Sequence, residues 1–77
     1  MAWHFDIEGY LAPDGSRVYE SPDDVTQTDG ILAHGYDPDN PDDDVWFWVY
    51  HPDYFDSLDE AYDHIQGMAG DYGIPYG

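Results

Sequence analysis

The sequence predicts an α+β domain: a three- to four-stranded antiparallel sheet with one C-terminal amphipathic helix packed on one face. Three patterns lead there. Residues 3–10 and 45–51 are rich in the aromatic and β-branched side chains that favour strands. Ser57-Leu58-Asp59-Glu60 has the form of a capping box and opens a stretch with helical apolar spacing. Clusters of Pro, Gly, Asp and Asn punctuate the chain between these segments. A chain of 77 residues has room for one domain, 1–77, whose strands and helix form two layers.

In residues 3–10, Trp3, Phe5 and Ile7 alternate with polar neighbours, the period-two pattern of a half-buried strand with those three side chains inward. Pro13-Asp14-Gly15-Ser16 is a turn, and residues 17–20 a short return strand. Ser21-Pro22-Asp23-Asp24 suits the start of one helical turn, with Pro at the first helical position. Residues 30–36 are short and apolar, a third strand. Asp37-Pro38-Asp39-Asn40-Pro41-Asp42-Asp43-Asp44 reads as a solvated acidic loop. Val45-Trp46-Phe47-Trp48-Val49-Tyr50-His51 is apolar on both faces, which places it at the centre of the sheet or under the helix. Residues 31–36 and 45–51 then form a hairpin around the acidic loop. In the helix, Leu58, Ala61, Tyr62, Ile65, Met68, Ala69 and Tyr72 fall on the inner stripe, and Asp59, Glu60, Asp63 and His64 on the outer side. Gly73-Ile74-Pro75 ends it.

Charge is the feature that bears on function. Eighteen acidic residues face one basic residue, Arg17, for a net charge of −17 at pH 7. A soluble small domain needs a magnitude of only about 2–8, and self-repulsion on this scale opposes folding. Low hydrophobicity with such a charge ordinarily signals disorder. Three Trp, eight Tyr and three Phe argue the other way, because large rings supply much buried area per residue. A folded chain of this mass exposes roughly 4,800 Å², about one carboxylate per 260 Å². Duplex DNA carries a charge every ~1.7 Å, so eighteen charges match about 30 Å of duplex, near the diameter of such a domain.

The same composition excludes several classes. Without cysteine there is no disulfide framework and no thiolate metal site. The N-terminus lacks the basic and apolar regions of a signal peptide, and no apolar run reaches membrane-spanning length. Anionic lipid would repel this surface. A soluble, cytoplasmic protein with no membrane partner is expected. Direct nucleic-acid binding is disfavoured, since one Arg and no Lys leave phosphates unpaired. No nucleophile elbow, phosphate loop or cofactor motif is present, so neither enzymatic activity nor a cofactor is expected. Residues 37–44 fail the calcium-loop pattern, with Pro41 at its fifth position and Asp42 at its sixth. His4, His34, His51 and His64 have no metal-ligand spacing, although the first three lie on expected strands that could converge. No metal is expected.

Two acidic groups stand out. One is Asp37, Asp39, Asp42, Asp43 and Asp44. The other is Asp53, Asp56, Asp59, Glu60 and Asp63, four of which recur at three- and four-residue steps along one helical stripe. Like charges at that spacing cost a helix tenths of a kcal/mol per pair. A merely solvated stripe would mix in lysines. Asp56 and Asp59 gain something back from the helix dipole, and Asp63 does not.

In size, composition and one-signed charge, and in the stretches Asp37–Asp44 and Asp53–Asp63, the chain resembles the phage-encoded anti-defence inhibitors: anti-CRISPR proteins, anti-restriction proteins and inhibitors of uracil-DNA glycosylase. The resemblance implies a nucleic-acid mimic that blocks the positively charged groove of a host defence or nucleic-acid enzyme. Its partner would be a basic nucleic-acid-binding protein or complex, and the mimic itself a monomer or small homo-oligomer. The two acidic groups would stand in for phosphates, with exposed Tyr36, Tyr54 or Tyr76 as anchors beside them. Two other readings fit the charge: an acidic housekeeping domain of a halophile, and an antitoxin-like module for another basic protein.

Overall fold

A computed structural model describes residues 3–76; Met1, Ala2 and Gly77 of the expected domain lie outside the described residues. Four strands, β1 (His4–Leu11), β2 (Arg17–Val18), β3 (Gly30–Asp37) and β4 (Asn40–Tyr50), precede one helix, α1 (Leu58–Asp71). The strands form one antiparallel sheet in the order β2-β1-β3-β4. The expected α+β architecture is the one observed.

The turn after β1 needs Gly15, whose φ of 88° lies in the region that L side chains avoid. Asp14 Oδ1 accepts from the Ser16 amide at 2.9 Å and closes it. The return strand is only Arg17–Val18, shorter than the expected residues 17–20. The helical turn expected at Ser21-Pro22 forms later, as a 3-10 turn at Val25–Gln27 capped by Asp24. Asp24 captures both the amide and the hydroxyl of Thr26, while the Ser21 hydroxyl donates instead to the Ile7 carbonyl. Thr28 then re-enters the core and β3 follows.

The acidic stretch is not a solvated loop. Only Pro38 and Asp39 form the turn, and Asn40–Asp44 already belong to β4. Asp37 pairs with Asn40 and Tyr36 with Asp44, so Pro41, Asp42 and Asp43 form a bulge on the β4 side. No non-glycine residue among those described has positive φ, which rules out the primed turns that match strand twist. A bulge absorbs that mismatch. β4 is also not central: it is the outermost strand, beside β3 alone.

One helix covers one face of the sheet. Ala61, Ile65 and Ala69 of α1 pack on Phe5, Ile7, Ile31, Ala33, Phe47 and Val49, with Val25 and Phe55 closing the ends. Phe5 and Phe47 meet edge to face, and Tyr76 stacks on Phe5. The chain end lies beside the first strand, the Trp3 amide donating to the Pro75 carbonyl at 3.0 Å. Trp3 is half-buried and joins this core from its rim. Leu58 and Tyr72, expected on the inner stripe, are exposed at the two ends of the helix. Gly67 and Gly70 do not interrupt it.

The molecule measures 37 × 20 × 18 Å, longer than the compact ~30 Å sphere its mass implies. Its accessible surface is 4730 Å², about 260 Å² for each of the eighteen acidic residues. No helix among the described residues is long and apolar enough to cross a membrane.

Candidate functional site

β4 alternates between the two sides of the sheet. Val45, Phe47 and Val49 point to the helix, while Asp44, Trp46, Trp48 and Tyr50 stand on the uncovered side. There the His34 ring stacks on Trp46, and His34 Nε2 lies 3.0 Å from Asp44 Oδ2. Tyr36 packs between His34 and His4, and His4 Nε2 reaches Asp6 Oδ1 at 2.8 Å. Farther along, Trp48 is stacked with Tyr50 and met edge-on by Tyr19. Arg17, the chain's single basic side chain, lies over the Trp48 ring at 4.9 Å and donates to the Tyr50 hydroxyl at 3.2 Å. Its charge is therefore spent within the surface, on a cation–π contact and a hydroxyl.

Three of these rings are open to solvent, while Trp48, His34 and Tyr36 are half-buried among them. Trp46 and Tyr50 are each 51% exposed, and Tyr19 68%. Clustered exposed aromatics of this kind mark interaction surfaces. Their role escapes a reading of residues 45–51 as apolar on both faces. One signal does reach it: a chain with one helix can cover only one face of its sheet.

The predicted acidic residues fall into two separate places. Asp39, Asp42, Asp43 and Asp44 are exposed at the β3–β4 tip, with Asp37 and Tyr36 half-buried behind them. Asp53, Asp56, Asp59, Asp63 and Tyr54 are exposed around the start of α1. Asp44 and His51 are seven residues apart along an extended strand, about 23 Å. The two groups thus occupy opposite ends of β4 rather than one continuous patch. Asp71, which the spacing argument passes over, joins Asp63 along a shallow groove between α1 and Val49-Tyr50. Tyr76 is half-buried against Phe5, and not an exposed anchor.

Glu60 departs from its expected role. Ser57 caps the helix, accepting from the Glu60 amide at 3.1 Å. The Glu60 side chain does not complete the capping box; it turns to His51, with Oε1 2.9 Å from His51 Nε2 and 3.9 Å from His64 Nε2. All three residues are half-buried. His51 therefore meets Glu60 and His64 rather than His4 and His34, which lie on the other face toward the other end of the sheet. The i,i+4 spacing of Glu60 and His64 is the sequence signal for this meeting, since such residues share a helix face. The return of His51 to that face is a tertiary event.

Comparison with protein-family models, with curated proteins and with solved structures finds no match to this chain.

Proposed function

We propose that the protein is a small inhibitory binding protein that covers the positively charged nucleic-acid groove of a host defence or nucleic-acid enzyme, its carboxylates standing where phosphates would lie. The observation that carries this reading is the composition of one strand. β4 presents exposed carboxylates at Asp42, Asp43 and Asp44 and continues directly into the exposed rings of Trp46 and Tyr50, with Trp48 half-buried between them. Charge of one sign steers association with a basic surface and sets its register. Trp and Tyr supply the central anchors that hold an interface together. The tip acids and this aromatic row are the primary contact, and the acids around the start of α1 a second one. Acidity acquired for a salty cytoplasm leaves the open aromatic face without a purpose.

The test has two stages. Immobilised protein captures a partner from nuclease-treated bacterial lysate, and the purified partner is then assayed for nucleic-acid binding with the protein present. The expected result is mutual exclusion: added duplex DNA or RNA releases the protein, and the protein blocks the partner's nucleic-acid binding. The triple variant Asp42→Asn, Asp43→Asn, Asp44→Asn and the single variant Trp46→Ala each lose the effect while melting cooperatively. A partner that binds protein and nucleic acid together, or one indifferent to both variants, overturns the reading.

A further inference from the structure

His51 at the end of β4, and Glu60 and His64 on the first turns of α1, bring two imidazoles and one carboxylate together, with their ligand atoms all within 4.8 Å of one another. We propose that these three side chains form a binding site for a divalent transition metal of the Zn²⁺ class. Imidazole and carboxylate are the donors that such ions select, and two His with one Glu leave a coordination position open.

Three further observations support the assignment. The first is an orphaned atom. Glu60 Oε1 is buried and has no hydrogen-bond partner among the described residues. His51 Nε2 is close enough at 2.9 Å for an ion pair, but it is not aligned to donate, and His64 Nε2 at 3.9 Å is too far. A buried carboxylate oxygen in that state calls for a cation. The second is the bracing of His51. Its Nδ1 lies against the Asp53 backbone, within hydrogen-bond reach of the carbonyl and of the amide at 3.1 Å. When Nδ1 accepts from the Asp53 amide, the proton sits on Nε2. In the other tautomer Nδ1 donates to the carbonyl and the lone pair lies on Nε2, facing Glu60, and a metal selects this second form. A backbone carbonyl on the far nitrogen is the usual support of a metal-binding histidine. The third is the wall. Phe55, fully buried, packs against both imidazoles and shields one side of the cluster from water.

The distances suit a metal after small adjustments. Ligand arms of about 2.0–2.1 Å in a tetrahedron hold their donor atoms roughly 3.3 Å apart. The gap of 2.9 Å opens slightly, and the gap of 3.9 Å closes by side-chain rotation of His64, the most exposed of the three. A bound ion would tie the end of β4 to the first turns of α1 across the segment 52–57.

Metal-stripped protein is titrated with ZnCl₂ in millimolar Mg²⁺, which occupies the weak carboxylate sites that a chain of charge −17 offers everywhere. The expected result is one Zn²⁺ per chain and a melting temperature that rises with Zn²⁺. His64→Ala and Glu60→Gln each weaken binding at least about tenfold, while Glu20→Gln, at an exposed residue outside both acidic groups, leaves it unchanged. With Co²⁺ as the ion, the wild-type chain shows the visible absorption of a low-coordinate site and His64→Ala does not. Should Glu60→Gln fail to fold, His64→Ala and the shifts of the His51 and His64 ring signals on adding Zn²⁺ decide the matter. Zn²⁺ displaced by Mg²⁺, binding indifferent to His64→Ala, or ring signals that do not move would each overturn the assignment.

Discussion

His34 lies face to face on Trp46, with ring centroids 3.9 Å apart and planes 9° from parallel. The same imidazole reaches Asp44, so the acidic tip and the aromatic row are joined through one side chain. Stacking of this kind contributes about 0.5–1.5 kcal/mol beyond area burial. Trp46→Ala should therefore lower stability by only about 1 kcal/mol. Phe47→Ala, one residue on and facing the helix, should cost about 3–5 kcal/mol. A domain of this size has only about 4–12 kcal/mol in all. Urea denaturation of the two variants checks the contrast, and equal losses would refute the assignment of faces.

The melting temperature should rise steadily with KCl. At about 0.01 M salt the screening length is ~30 Å, comparable to the 37 Å long axis, so nearly every carboxylate feels every other. At about 1 M it is ~3 Å and the repulsion is confined to neighbours. The chain should nonetheless melt cooperatively at 0.1 M salt. Circular dichroism melts across the series decide this, and a chain that folds only in molar KCl would favour the halophile reading.

Thr28 is the one buried polar side chain among the described residues, 2% exposed. Its hydroxyl lies 2.7 Å from the Leu11 carbonyl and 2.9 Å from that of Gly30, and accepts from the Gly30 amide at 3.2 Å. Thr28→Val keeps the shape and strands those backbone groups, for an expected loss of about 1–3 kcal/mol. Thr28→Ser should restore most of it. Equilibrium denaturation of both variants provides the comparison.

A Cβ at Gly35 would stand 2.4 Å from a ring carbon of Phe5. That ring is already held by Phe47 and Tyr76 and cannot retreat cheaply. Gly35→Ala should cost about 1–3 kcal/mol through overpacking. Pairing it with Phe5→Leu should recover part of the loss, a coupling that a double-mutant cycle would register.

Asp24 is held below the usual carboxylate range, first by the Thr26 hydroxyl and then by its amide. A depressed folded-state value means the cap contributes stability above the unfolded value, near 3.8, and loses it as pH falls through the folded one. The gap in melting temperature between wild type and Asp24→Ala should thus be constant from neutral pH to about 5 and narrow below it. A gap that widens on acidification would contradict the cap.

Much of the fold was legible because its signals are local. The alternation at Phe5 and Ile7, the Pro13–Ser16 turn and the Ser57 cap each act within a few residues. What stayed hidden depends on distant partners. Asn40–Asp44 carry poor strand formers, yet the pairing of Asn40 and Asp44 with β3 on either side of the bulge carries the stretch into β4, overriding propensity. The position of β4 at the sheet edge follows from where β1 and β2 are added, which periodicity does not encode. The acidic groups were visible as charge, but their separation to opposite ends required the length of β4. The meeting of His51 with Glu60 and His64 required the path of residues 52–57.

The two-residue turn at Pro38-Asp39 has a consequence for binding. A long charged loop samples many shapes and must surrender that freedom when a ligand engages it. Asp42, Asp43 and Asp44 instead sit within β4, with Asp44 paired to Tyr36 and also held by His34. Their backbone has already lost its conformational entropy, about 1–2 kcal/mol per residue, when the chain folds. Whatever docks on this end of the molecule meets carboxylates at set intervals, and the association is spared that ordering cost.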